Sequence, residues 1–365
     1  MKVLMTADAV GGVWTYALEL CRALGALDVQ VVLATLGPLP TSAQCDAAAK
    51  LTNVRLTSAA WKLEWMERPW EDVAGSGSWL RELADRERVD LVHLNGYAHA
   101  ALAWQRPVLV VAHSCVCSWW QSVYGESAPP DWNQYRDAVA AGLAAADHVV
   151  APTRAFLQML EAEYGTLRRA SVIHNARDSS SLQGEDARAP TIFACGRIWD
   201  RAKNLQTLDV ACASLPWKTY VAGDATSPDG RRCEPLRLEC LGRLPEAEVG
   251  EWMGRAAIFA HPALYEPFGL AVLEAAARGC ALVLSDLPTL RELWDGAALF
   301  ASAREPDAFR AQLKRLIERP DERVALAQAA RVRALAQFKP DAMASAYHAL
   351  YVDLIRTHSK ERAVA

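Results

Sequence analysis

The sequence lacks an excess of positive charge: its 39 Lys and Arg are outnumbered by 43 Asp and Glu, for a formal net charge of -4. Proteins that bind nucleic acid carry a basic face, so this balance argues against a polyanionic partner. It also lacks any uninterrupted apolar run of the length a transmembrane helix needs, about 18 residues. The opening Met1-Lys2-Val3-Leu4-Met5 is too short for a secretory leader and runs directly into a glycine loop. A complete disulfide framework is not expected either, because the nine cysteines are scattered and odd in number. A reducing, cytoplasmic setting follows as the expectation. The dinucleotide fingerprint Gly-x-Gly-x-x-Gly is missing, and no Asp-x-Asp pair stands at the end of an expected strand.

What is present is enough apolar sequence for two cores. At 365 residues the chain exceeds the usual size of one, and short β-rich runs alternate with Ala- and Leu-rich helical stretches throughout. That alternation predicts parallel sheets wound with helices. Expected strands in the first half are Lys2–Ala7, Gln30–Ala34, Val54–Thr57, Leu91–Leu94, Val108–Ala112, His148–Ala151 and Ser171–Ile173. In the second half they are Thr191–Cys195, Thr219–Val221, Glu239–Leu241, Ile258–Ala260, Ala281–Leu284 and Ala298–Phe300. Between the halves, Ser179 to Asp186 has the composition of a linker. The expected organisation is a first domain over 1–177, a linker over 178–190, a second domain over 191–340 and a C-terminal helix over 341–365 that packs on either domain.

Ligands of open parallel sheets bind beyond the carboxyl ends of the strands, and the chemically suggestive residues fall there. In the second half, Glu266-Pro267-Phe268-Gly269-Leu270-Ala271-Val272-Leu273-Glu274 places two carboxylates around a helix start. The amides of Phe268, Gly269 and Leu270 at that start suit a phosphate, whereas the carboxylates accept from hydroxyls. A nucleoside diphosphate sugar, with phosphates between two polyols, would satisfy all of them. After Thr191–Cys195 come Gly196-Arg197 and Lys203-Asn204, whose two cations match diphosphate oxygens or are simply surface charges beside Asp200.

In the first half, Gly11-Gly12 links the first strand to a helix carrying Tyr16 to Leu24. Paired glycines allow close approach of backbone to ligand, although alone they are more often a tight turn. His113 ends the fifth strand and is a ligand-contacting or a structural residue. Cys115 and Cys117 beside it lack a second ligand pair, so no metal site is expected. Of the 13 tryptophans, most read as packing. Trp119 and Trp120, in an expected loop over 114–131, are the pair placed to stack on an acceptor, and a second acceptor loop is expected over 60–78. Tryptophan also suits membrane interfaces, but the first half is net acidic, so peripheral contact with anionic lipid is not favoured.

Together these residues resemble family 4 of the retaining glycosyltransferases over essentially the whole chain. The resemblance rests on Glu266 and Glu274 with their Glu-Pro-Phe-Gly-Leu core, Gly196-Arg197, Lys203-Asn204, Gly11-Gly12 and His113. Weaker echoes are Asp90 to His93, Ala146 to Thr153 and Val172 to Asn175. It implies the GT-B fold, two Rossmann-like doubly wound domains facing across a cleft, with the acceptor bound by the first and the nucleotide sugar by the second. It implies that Arg197 and Lys203 bind the donor diphosphate, Glu274 the ribose and Glu266 the transferred sugar, helped by the amides around Gly269 and Leu270. His113 would contact that sugar and Gly12 the phosphate and acceptor.

The implied chemistry is metal-independent transfer of a hexosyl unit with retention, with no cofactor beyond the donor co-substrate. UDP-sugar is favoured by prevalence, and the acceptor is a saccharide, lipid-linked saccharide or small molecule. One departure touches the hinge: where Val-Ile-Pro-Asn-Gly-Val-Asp is common, this chain reads Val172-Ile173-His174-Asn175-Ala176-Arg177-Asp178. The competing readings are a nucleotide-sugar 2-epimerase of the same fold, a phosphorylase with a pyridoxal lysine, and a non-catalytic sugar-nucleotide-binding module.

Overall fold

The computed structural model describes residues 1–178, 188–227, 230, 232–233 and 236–364, with side chains to residue 362. By its internal contacts the chain divides into two compact units. The first comprises Met1–Gln121, Glu126–Ala176 and Pro340–Ala365; the second comprises Ser122–Gly125 and Arg177–Lys339.

The first unit holds a parallel sheet of seven strands: β1 (Lys2–Asp8), β2 (Gln30–Leu36), β3 (Val54–Ser58), β4 (Leu91–Leu94), β5 (Val108–Val111), β6 (His148–Ala151) and β7 (Ala170–Val172). Their order is β3-β2-β1-β4-β5-β6-β7, so the strand order reverses between β1 and β4. The connecting helices are α1 (Gly12–Gly25), α2 (Ser42–Ala49), α3 (Trp70–Glu87), α4 (Val116–Tyr124), α5 (Asn133–Ala145) and α6 (Arg154–Tyr164). Strands β4 and β5 are buried at every position, as expected where helices cover both faces of a sheet.

The second unit holds six parallel strands: β8 (Ala189–Cys195), β9 (Lys218–Ala222), β10 (Glu239–Gly242), β11 (Ala256–His261), β12 (Ala281–Ser285) and β13 (Leu299–Ala301). Their order is β10-β9-β8-β11-β12-β13, with the reversal between β8 and β11. Its helices are α7 (Leu205–Cys212), α8 (Glu246–Arg255), α9 (Leu270–Ala277), α10 (Pro288–Trp294), α11 (Pro306–Glu318) and α12 (Pro320–Gln337). The last helix, α13 (Pro340–Val364), belongs to the first unit. There Met343, Ala344, Tyr347, Tyr351 and Leu354 join Trp14, Ala17, Leu18 and Cys21 of α1 in one core. Among the described residues no helix is long and apolar enough to cross a membrane.

All thirteen expected strands are present, most of them with an end shifted by one or two residues. The expected linker over 178–190 falls largely on 179–187, outside the described residues, while its last two residues already belong to β8. Pro190 cannot donate to a sheet, and the register between β8 and β11 shifts at that point, from Ala256 opposite Ala189 to Ile258 opposite Ile192. The acceptor loops expected over 60–78 and 114–131 are partly helical: α4 occupies 116–124, and α3 begins at Trp70. In α4, Val116, Trp119, Trp120 and Val123 recur at helical spacing, a period hidden by the surrounding polar residues and prolines.

Candidate active site

In the second unit the loops after β8 and β11 meet at the reversal of strand order. Asp200 starts a short 3-10 turn over Arg201–Lys203, its side chain accepting from the Ala202 amide at 3.0 Å. Asn204 closes that turn in the left-handed region, at φ 53°, which Asn tolerates better than most residues. Its side-chain amide donates to the carbonyls of Pro262 at 2.8 Å and Ala303 at 2.6 Å, tying together the loops after β8, β11 and β13.

The outcome is that Lys203 reaches Glu266. Lys203 Nζ donates to Glu266 Oε2 at 2.7 Å, and His261 Nε2, at the end of β11, donates to the same oxygen at 3.1 Å. Burial pushes the Glu266 carboxyl up, but the Lys203 ammonium and the His261 ring outweigh it and hold the group well below the usual carboxylate range. The Thr289 hydroxyl donates to the Glu266 carbonyl at 2.6 Å and so holds the main chain from α10. Gly269 then starts α9 at φ 88°, a backbone that L side chains rarely adopt. A Cβ there would stand 3.2 Å from Val272 Cγ2 and 3.4 Å from Glu266 Cγ. Phe268 is buried in the core below, and Leu270 opens the helix.

Glu274 lies in the second turn of α9, where Arg177 Nε meets its Oε1 at 2.9 Å. Arg197 pairs instead with Asp200, Nη2 to Oδ2 at 2.7 Å, and lies 5.2 Å from the centre of the Trp199 ring. The half-buried Cys195 thiol at the end of β8 is pushed up to about 12, first by withdrawal from water and then by the Glu274 charge, with Lys203 and Glu266 also acting on it. The carboxyl end of β8 is thus common ground for Lys203, Glu266 and Glu274. Each of Lys203, Arg197 and Arg177 is ion-paired with a carboxylate here. An ammonium has three donors, so Lys203 can hold Glu266 and still serve another oxygen.

In the first unit, Gly11 caps α1 at φ 83° and, with Gly12, is exposed beyond β1. His113, two residues past β5, places Nε2 2.8 Å from Asn95 Oδ1, and its ring meets Tyr16 edge-on with centroids 4.5 Å apart. The Asn95 side-chain N–H donates to the Thr6 carbonyl at 2.6 Å, which turns Oδ1 toward the imidazoles. His113 Nε2 is therefore the protonated nitrogen. His93 Nε2 lies 3.2 Å from the same Oδ1, and its Nδ1 lies 2.6 Å from the Tyr351 hydroxyl of α13. Burial lowers both imidazoles to about 3, so both are neutral near pH 7. Trp119 and Trp120 are half-buried on α4, edge to face with centroids 5.8 Å apart.

The residues singled out from sequence thus fall into two sets, each within its own unit. Sequence reasoning missed His261, Arg177, Asn95, His93 and Tyr351. Two of these carried a signal: His261 ends a strand just before the Glu266 loop, and Arg177 is the hinge departure.

The sequence profile of Glycosyltransferase Family 4 matches residues 10–181, and that of the Glycosyl transferases group 1 matches residues 189–319. The chain belongs to this glycosyltransferase family. Among curated relatives, the O-antigen chain mannosyltransferase B of Escherichia coli is 32% identical over 102 residues, 28% of this chain. That match spans only 26% of the mannosyltransferase's length. Among solved structures, the sucrose-phosphate synthase of Thermosynechococcus elongatus superposes with a TM-score of 0.81 over 98% of this glycosyltransferase and 100% of its own chain, at 19% identity. Anabaena HepE, solved in complex with UDP-glucose, superposes at 0.76 over 97% and 100%, at 18% identity. At such identities the likeness establishes the fold, which is GT-B.

Proposed function

We propose that this glycosyltransferase moves a hexosyl unit from a nucleoside diphosphate sugar to a hydroxyl of a saccharide, lipid-linked saccharide or small-molecule acceptor. The reaction retains the anomeric configuration and requires no metal ion. The observation that carries this reading is the part-buried Lys203–Glu266 pair at the strand-order reversal, its glutamate three residues before the glycine that starts α9.

As the glycosidic bond breaks, negative charge grows on the departing diphosphate. Lys203 and Arg197 supply N–H donors to it, and a preorganised donor acts most strongly where water is excluded. Glu266 stays ionised at neutral pH and accepts from hydroxyls of the transferred sugar. Its Oε2 is already shared by an ammonium and an imidazole N–H, which draws electron density from that oxygen and favours holding over nucleophilic attack. The acceptor's proton then passes to the leaving phosphate. Glu274 is assigned to the ribose, the α9 amides around Gly269 and Leu270 to the donor, and Gly12 to close approach of backbone to substrate. His113, neutral and held by Asn95, is assigned to a sugar hydroxyl, and Gly11, Trp119 and Trp120 to the acceptor. The UDP-glucose complex of Anabaena HepE supports a UDP-sugar as donor.

The test begins with thermal shifts against UDP-, GDP- and ADP-sugars, since a ligand that binds the native state raises the melting point. With the donor so found, the anomeric configuration of the product is read by NMR in the presence of excess chelator. A retained product under chelation is expected. An inverted product or a strict requirement for added Mg²⁺ or Mn²⁺ would contradict the reading, and an epimer formed from donor alone would replace it with the epimerase.

A further inference from the structure

Arg177 stands where the related hinge sequence commonly has valine, and its side chain turns onto Glu274. Besides the 2.9 Å contact with Glu274, the guanidinium pairs with Glu246 at the first residue of α8. The Arg177 and Glu274 side chains keep 15% and 17% of their exposure, whereas Glu246 keeps 69%. The Arg177 amide donates to the Phe338 carbonyl at 3.3 Å, so its main chain is anchored as well. A surface pair with Glu246 alone would contribute little. The less exposed partner, Glu274, is the one that needs the charge, because a carboxylate partly withdrawn from water without a cation is costly.

We propose that Arg177 is a positioning residue for nucleotide recognition, holding Glu274 in one orientation so that its carboxylate accepts from the ribose hydroxyls. The inference rests on the assignment of Glu274 to the ribose. A glutamate has three rotatable bonds, and an arm ordered beforehand binds more tightly than one that must be ordered by its ligand. The guanidinium fork matches a carboxylate in geometry as well as charge, which a lysine reproduces only in charge. Arg177 also offsets the repulsion that a bare Glu274 would exert on an incoming diphosphate.

The test compares the wild type with Arg177→Val, which restores the residue common in the family, with Arg177→Lys, and with Glu274→Ala. Calorimetric Kd values are measured for UDP, 2′-deoxy-UDP and 3′-deoxy-UDP, or for the GDP or ADP series if those bind better, alongside kcat and donor KM. Wild type is expected to prefer the ribonucleotide, and Glu274→Ala to lose that preference. Arg177→Val should raise the ribonucleotide Kd and the donor KM about tenfold with kcat within about twofold, and move the ribo-to-deoxy ratio toward that of Glu274→Ala. Arg177→Lys should recover part of the affinity. If Arg177→Val keeps the wild-type ratio, whether at full affinity or with all three ligands weakened equally, the inference is overturned while the ribose role of Glu274 stands. A Glu274→Ala variant that still prefers the ribonucleotide overturns that role and the inference with it.

Discussion

At the carboxyl ends of β4 and β5 the two imidazoles are neutral, whereas at those of β8 and β11 the part-buried side chains are charged and paired. Around β4 and β5, His93 and His113 share the Asn95 carbonyl oxygen and stay unprotonated, with Tyr351 closing the chain of hydrogen bonds. Around β8 and β11, Lys203 meets Glu266, and Arg177 meets Glu274. Neutral groups trade hydrogen bonds with hydroxyls at little electrostatic cost, which suits recognition of a sugar. Buried ion pairs are weak contributors to stability, because desolvation offsets most of the attraction. Their presence at one edge and absence from the described partners of His113 at the other match the proposed roles, with charge handled in the second unit and hydroxyls in the first.

The comparison breaks most visibly if the ion pair is inert. Lys203→Ala and Glu266→Ala should each lower turnover by about 10²–10³ or more, measured as initial rates on the correct donor. Near-normal transfer by either would remove the assigned roles. Glu266→Ala leaves the part-buried Lys203 ammonium without its carboxylate and Lys203→Ala leaves Glu266 with His261 alone, so a loss of about 3–5 kcal/mol in urea unfolding is expected for Lys203→Ala, and much less for Lys203→Met combined with Glu266→Gln. A double variant as unstable as the single one would mean that the two side chains are not coupled.

The pH dependence of stability separates the two edges. Unfolded histidine takes up a proton near pH 6.5, while folded His93 and His113 resist until about 3, so their contribution is whole above about 6.5 and drains away as pH falls through that window. Glu266, with its folded value depressed, contributes above the unfolded value of about 4.3 and loses that contribution only as pH falls below it. Urea unfolding at pH 7, 5.5 and 4 should therefore show a decline between 7 and 5.5 that His93→Gln flattens and Glu266→Gln does not. A wild type with equal stability at those two values would sink the neutral network.

Smaller effects sharpen the contrast. Trp119→Ala should raise the acceptor KM by about threefold to tenfold and leave the donor KM alone, in line with the loss of one aromatic contact. Tyr351→Phe, which removes the hydroxyl from His93, should cost about 1 kcal/mol of stability and leave nucleotide Kd unchanged. A donor-binding defect in Tyr351→Phe would show that the neutral network reaches further than hydroxyl recognition.

The strands were legible because buried parallel strands leave continuous apolar runs such as Val108-Leu109-Val110-Val111. Helix α4 was not, since its nine residues sit between a polar turn and a proline-rich stretch and its tryptophans read equally well as a loop. In the site, Arg197, Lys203, Glu266 and Glu274 stood out because they follow strands or flank a helix start. Their partners did not. Lys203 and Glu266 are 63 residues apart, and His93 and Tyr351 are 258 apart, distances across which no sequence period carries information. Arg177 was visible as a departure at the hinge, but its engagement of Glu274 was not.

By itself the sequence determined the alternation that winds two parallel sheets, and the placement of charged and glycine residues at the ends of their strands. Hydrophobic period and turn chemistry are local properties, so they can be read along the chain. Which cation neutralises which carboxylate, and which histidines stay neutral, was decided only by the tertiary structure. Coulomb attraction and desolvation depend on separations of a few ångströms and on exclusion of water, and both arise only once distant segments have packed.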